Sequence, residues 1–208
     1  MTDIFSLFDR IARREDTPQG AVTHLVVGLG NTGKQYEGTR HNAGFLCLDA
    51  VAAAAGAKVT SLRFHSLTAD TVYGSKRVLL MKPQTLMNLS GVAVAEAADF
   101  YHIPPEHIIV LCDDINFAVG HARIRLRGSH GGHNGDITAR LGSENFVRVR
   151  IGVGQKPTPD YDLADWVLGH LPAQELTEMR ETVAPRMADA VRLLLEGKPD
   201  LAMSQYSK

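Results

Sequence analysis

Four polar clusters, each next to an apolar stretch, hold the residues able to do chemistry. The first offers Asn31, Tyr36, Arg40, His41 and Asn42 in one short loop. The second is KPQTLMNLSG at 82–91, with Leu86, Met87 and Asn88. The third is Cys112-Asp113-Asp114-Ile115-Asn116, and the fourth is GSHGGHNG at 128–135, ending on Asn134 and Gly135. If these ends converge, they supply a histidine, one or two aspartates and several asparagines. That set can run water attack on an ester. The histidine takes a proton from water. A carboxylate fixes its tautomer and stabilises the imidazolium that forms. Amide N–H groups donate to the developing oxyanion without carrying charge themselves. The chain has no G-x-S-x-G nucleophile motif, and Cys47 and Cys112 sit inside apolar runs as buried thiols.

Each cluster also has a plainer reading. A histidine beside Asn42 at a helix start can be a cap, and Asp113-Asp114 at a strand end can be turn chemistry. Asn88 can simply begin a helix. The first loop spells Gly28-Leu29-Gly30-Asn31-Thr32-Gly33, the G-x-G-x-x-G of dinucleotide sites. A dinucleotide site needs a helix starting at that loop, and a second strand ending on an acid about twenty residues on. Here the loop stays polar for about nine residues more, and Asp49 lies inside an alanine-rich helix pattern, so that reading is rejected. His130 and His133 suggest zinc, but they sit in a Gly-rich loop without the i, i+4 helical register or a nearby third ligand. No metal and no cofactor are expected.

Alternation and helical spacing predict the elements that must position these clusters. Strands are expected over 24–29, 64–73, 77–82, 107–112, 122–127 and 146–153. Helices are expected from Asn42 or Ala43 to Gly56, from Ser90, as a cap, to near His102, and over 136–141, 162–168 and 172–196. Strands alternating with helices give an α/β class, and the Gly74-Ser75 hairpin signal makes the sheet mixed. Ile4, Leu7, Phe8 and Ile11 have helical spacing before a Thr-Pro-Gln-Gly break. Residues 1–20 therefore read as an appended helix and linker, and 21–208 as one domain.

Hydrophobic residues at 44% and charged residues at 22% are ordinary for a globular chain, and no apolar run is long enough to span a bilayer. There is no secretory pattern at the N-terminus, and with only two cysteines the cytoplasm is the expected compartment. Net charge is −1 but unevenly spread. Residues 121–150 carry six arginines against Asp136 and Glu144, whereas 155–181 carry two basic residues against six acids. A basic segment in a neutral protein points to a local polyanion contact; the alternative is that alternate arginines solvate a strand face. Arg123, Arg125 and Arg127 would share that face, with Ile124 and Leu126 towards the core.

Taken together, LVVGLGNTGKQYEGTRHNAG, KPQTLMNLSGVAV, IIVLCDD, GSHGGHNG and FVRVRIGVG resemble the bacterial-type peptidyl-tRNA hydrolase family, in family order, over about residues 24–154. The resemblance implies a single α/β domain with a mixed, mostly parallel β-sheet flanked by helices, similar to nucleoside phosphorylases, monomeric and without cofactor. It implies hydrolysis of the ester between a peptide and tRNA, with His41 as general base and Asp113 as its carboxylate. Asn31 is similar to the asparagine that tells a blocked from a free aminoacyl group. Asn42, Leu86, Met87, Asn88 and Asn134 fall at the substrate, Tyr36 at the tRNA end, and Arg123, Arg125, Arg127 and Arg150 at tRNA phosphates. Thr32, Leu86, Asn116 and Ala118 depart from the family pattern, and none of these removes a catalytic group. A non-catalytic RNA-binding relative of the same fold is the alternative. A phosphorylase-like enzyme would need a phosphate site that the sequence does not display.

Overall fold

The computed structural model describes residues 20–128 and 133–207; of His133 and Asn134 only the backbone is described. The expected N-terminal helix, His130 and the His133 side chain therefore lie outside the described residues.

Seven strands form one sheet: β1 (His24–Gly28), β2 (Ser61–Arg63), β3 (Ser66–Tyr73), β4 (Lys76–Pro83), β5 (Ile108–Asp114), β6 (Ala122–Arg125) and β7 (Val147–Gly152). Their order is β2-β3-β4-β1-β5-β7-β6. β1 is parallel to β4 and β5, and β5 is parallel to β7. β2–β3, β3–β4 and β6–β7 are antiparallel, so only β3 and β6 run against the rest. The helices are α1 (Ala43–Ala54), α2 (Ser90–Tyr101), α3 (His133–Leu141), α4 (Leu163–Leu168), α5 (Ala173–Glu178), α6 (Ala184–Leu195) and α7 (Pro199–Tyr206). A π-helical turn, Met179–Val183, joins α5 to α6, making the predicted long C-terminal helix continuous.

The two faces of the sheet bury different halves of each strand, as period-two alternation requires. Val26, Leu80, Leu111 and Val149 pack with Cys47, Leu48 and Val191 of α1 and α6. Val27, Met81 and Val110 pack with Val94 and Ala97 of α2 and Ile137 of α3. At about 1.5–3 kcal/mol per buried large aliphatic side chain, these two layers are the main stabilising term. α1 sits unusually close to the sheet. A Cβ on Gly28 would come within 2.6 Å of the Gly44 carbonyl oxygen and 2.8 Å of Leu48 Cβ. This close approach fixes where α1, and the turn before it, meet the end of β1.

The structure departs from the sequence expectations in four places. β2 was not expected, because three exposed residues carry no apolar alternation. β6 ends at Arg125, so Leu126 is 38% exposed instead of facing the core. Ser90 does not cap α2; its hydroxyl donates to the Met87 carbonyl at 2.9 Å. The cap comes instead from Asp136 on α3, whose Oδ2 accepts from the Gly91 N–H at 2.7 Å. Finally α7 follows α6 after a break at Gly197, φ 72°, with Pro199 in its first turn. Gly and then Pro is the usual stop-and-restart signal, and it was legible.

Candidate active site

His41 stands in a 3-10 turn, Arg40–Asn42, between the end of β1 and the start of α1. Asp113 is next to last in β5, the strand beside β1. His41 Nδ1 lies 2.9 Å from Asp113 Oδ2, and both side chains are more than nine-tenths buried. A carboxylate accepts, so Nδ1 carries the hydrogen and Nε2 is the basic nitrogen. Strand alternation divides the Asp113-Asp114 pair between two tasks. Asp113 shares the α1 side with Leu111. Asp114 points the other way, where Arg150 Nε approaches its Oδ2 at 2.8 Å. Its Oδ1 accepts from the Asn116 N–H at 3.0 Å and from Asn116 Nδ2 at 2.8 Å. The turn chemistry thus belongs to Asp114 and Asn116, and Asp113 is left for His41.

Asn31 is held from behind. Its N–H donates to Asn42 Oδ1 at 2.7 Å and its carbonyl accepts from Asn42 Nδ2 at 3.0 Å. Asn42 is 6% exposed and its amide is occupied by this clamp. It thereby braces Asn31 in the loop that leads to His41. Asn31 and Asn42 line a cleft of about 510 Å³ together with Phe45, Lys82 and Gln84. Asp49, the acid weighed for a dinucleotide site, sits on α1 and pairs with Lys82 at 2.5 Å. A second cleft of about 560 Å³ lies at the other end of the sheet, by His24 and His107.

The 82–91 cluster splits in the same way. Leu86 is 69% exposed and Asn88 is exposed. Met87 is 3% exposed and packs in the core with Val94 and Ile137. It anchors the loop that presents its two neighbours.

A model of the peptidyl-tRNA hydrolase family matches residues 25–208. The chain belongs to this family. It is 47% identical over 186 residues to a peptidyl-tRNA hydrolase of Caldanaerobacter subterraneus, covering 88% of this chain and 99% of that relative. It is 44% identical to one of Agathobacter rectalis, covering 88% of this chain and all of that one. The crystal structure of the peptidyl-tRNA hydrolase from Acinetobacter baumannii superposes with a TM-score of 0.80 at 34% identity, over 90% of this chain and 96% of that one. Peptidyl-tRNA hydrolases are ester hydrolases, so the chain is a member of an enzyme family.

In this peptidyl-tRNA hydrolase fold the basic segment has a definite geometry. Arg123 stands opposite Arg150, and Arg125 opposite Arg148, so all four share the sheet face away from α1. Like charges opposed in this way repel unless each is offset. Arg150 is offset by Asp114. Arg148 is fully buried over the Phe146 ring at 3.9 Å, and burial lowers its pKa below the usual guanidinium value. Arg123 stacks on Phe117 at 4.6 Å. Arg125 and Arg127 are exposed. Burial pushes the Cys47 thiol pKa well above its usual value, which removes it as a nucleophile. No helix among the described residues is long and apolar enough to cross a membrane.

Sequence reasoning missed the outer support of the His41 loop. Trp166, Gly169 and His170, more than 120 residues on, grip Arg40 and its neighbours. No local pattern could reveal a contact at that separation.

Proposed function

We propose that this chain hydrolyses the ester that joins a peptide, or another N-blocked aminoacyl group, to the 3′ end of tRNA. His41 Nε2 takes a proton from water as the oxygen attacks the ester carbonyl. Asp113, bonded to Nδ1, stabilises the imidazolium. The carbonyl oxygen gains charge, and amide donors, with Asn31 as a candidate, steady it. As the carbon–oxygen bond to the ribose breaks, the imidazolium returns its proton to the leaving hydroxyl. Peptide carboxylate and intact tRNA result. Asn88 and Asn134 hold substrate beside the ester, Leu86 offers an exposed apolar contact, and Tyr36 meets the tRNA end. Arg123, Arg125 and Arg127, with Arg150 behind them, meet phosphates. The work is tRNA recycling in translation, by a cytoplasmic monomer whose activity resides in residues 21–208.

The observation that carries this reading is the buried 2.9 Å contact between His41 and Asp113. An N-acetylated aminoacyl-tRNA and its free-amine counterpart provide the test. Wild type should release the blocked amino acid and spare the free one. His41→Ala should lose about 10²–10⁴-fold in rate, the usual value of a general base, while still binding tRNA. Binding without release by the wild type would make the chain an RNA-binding relative.

A further inference from the structure

The indole of Trp166 touches both halves of the His41–Asp113 pair's support. Its face carries the Arg40 guanidinium, with Cζ 3.6 Å from the ring centroid. Its N–H donates to the Gly154 carbonyl at 3.0 Å. Arg40 directly precedes His41, and is itself tied down. Its Nη1 donates to the His170 carbonyl at 3.0 Å and its backbone N–H to the Gly169 carbonyl at 3.0 Å. Gly154 belongs to the strap leaving β7. That strap is fastened just beyond Asp113, through Val153 N–H to the Asp114 carbonyl at 3.1 Å and Gly154 N–H to the Phe117 carbonyl at 2.9 Å. One side chain therefore spans from the loop that carries the histidine to the strand end that carries the aspartate.

We propose that Trp166 is a positioning residue that sets the His41–Asp113 contact from outside the site. The arrangement is costly to keep for packing alone. Arg40 is 7% exposed, burial lowers its pKa below the usual guanidinium value, and its Nε finds no hydrogen-bond partner among the described residues. An apolar residue at 40 would avoid that cost. What the guanidinium gains is direction: the ring plane holds it along one axis and the His170 carbonyl along another. The adjacent backbone is clamped too, since Thr39 bridges to His170 and Leu171 N–H donates to the Gly38 carbonyl at 2.9 Å. The histidine is thus held to α4 and its following strap by one stacked pair and a short ladder.

Trp166 is the chain's single tryptophan, so tryptophan fluorescence reports on this one position. The inference rests on His41 as the base, so His41→Ala is assayed beside the other variants. In Trp166→Leu, kcat on N-acetylated aminoacyl-tRNA should fall on the order of 10–100-fold with KM little changed, as misplacement by about an ångström does. Trp166→Phe keeps a ring face and should recover most of that loss. Arg40→Gln should shift Trp166 emission and lower kcat together, while circular dichroism stays native. Wild-type kcat in Trp166→Leu would overturn the proposal. So would kcat, KM and melting temperature worsening together without rescue by Phe. If Trp166→Leu fails to fold, the Arg40→Gln pair of readings decides, and an emission shift with wild-type kcat overturns it. A fully active His41→Ala would instead sink the reading of the site itself.

Discussion

Asp113→Asn is the sharpest perturbation of the proposed chemistry, because it keeps size and removes one charge. In the proposed mechanism the imidazole becomes cationic as water is deprotonated. The carboxylate's attraction is therefore realised in the transition state and not in the ground state. Two unit charges about 4 Å apart at an effective dielectric near 20 interact by about 4 kcal/mol. Asp113 Oδ2 is 2.9 Å from Nδ1, with both side chains under a tenth exposed, so solvent screens little of it. An amide restores part of the loss through its dipole, but it can also donate to Nδ1 and favour the wrong tautomer. A net loss of about 3–4 kcal/mol corresponds to a fall in kcat of roughly 10²–10³-fold, with KM unchanged. The assay is single-turnover release of an N-acetylated amino acid from tRNA at saturating enzyme. Asp114→Asn is the control. It uncouples Arg150 and Asn116, and should cost about 1–3 kcal/mol of stability, read by urea melts, since a partly exposed partner is left behind. A kcat for Asp113→Asn within about threefold of wild type would refute the dyad, because general-base support is worth far more.

Three further outcomes follow from other parts of the molecule. Replacing exposed Arg125 and Arg127 with Ala should weaken tRNA binding and lower the slope of log K against log salt by about 0.7–0.9 per lost phosphate contact; unchanged slopes across a salt titration would show that these arginines only solvate the sheet edge. At the opposite end of the sheet, burial, followed by His107 and Lys76, lowers the His24 pKa from 6.5 to about 4. The unfolded chain then binds a proton more readily between those two values, so stability contributed by neutral His24 is full above pH 6.5 and is lost as pH falls towards 4. Partial solvent exposure limits this to about 1–2 kcal/mol, and His24→Gln should remove that part of the acid loss in urea melts at pH 7 and pH 5. Asp136→Ala uncaps α2 at Gly91 and should lower stability by about 0.5–2 kcal/mol, read by thermal melts, with the rate falling less than in Asp113→Asn.

Much of the candidate site is legible in the sequence. Asn31, His41 and Asp113 stand out because they are polar residues at the end of a buried apolar strand or in the loop that follows one. Strand alternation in ARIR correctly set exposed arginines against a buried face, since period two depends only on local backbone geometry, whereas in VRVRIG Arg148 is buried and Arg150 half-buried. It did not foretell which arginine would be spent inside. Arg148 and Arg150 look alike in sequence, yet one is entombed over Phe146 and the other neutralises Asp114.

What the sequence determined by itself was therefore the α/β class, most element bounds and the residue types of the chemistry, because propensity, periodicity and turn residues act within a few positions. Only tertiary structure decided partners. It chose Asp113 over Asp114 for His41 by the direction in which each leaves β5. It turned Asn42 and Met87 inward as supports, and supplied Asp136 as the cap that Ser90 was expected to provide. It also brought Trp166 onto Arg40 across more than 120 residues. Such contacts depend on strand order and on how closely α1 can approach the sheet at Gly28 and Gly44, and these are properties of the packed chain that no local stretch encodes.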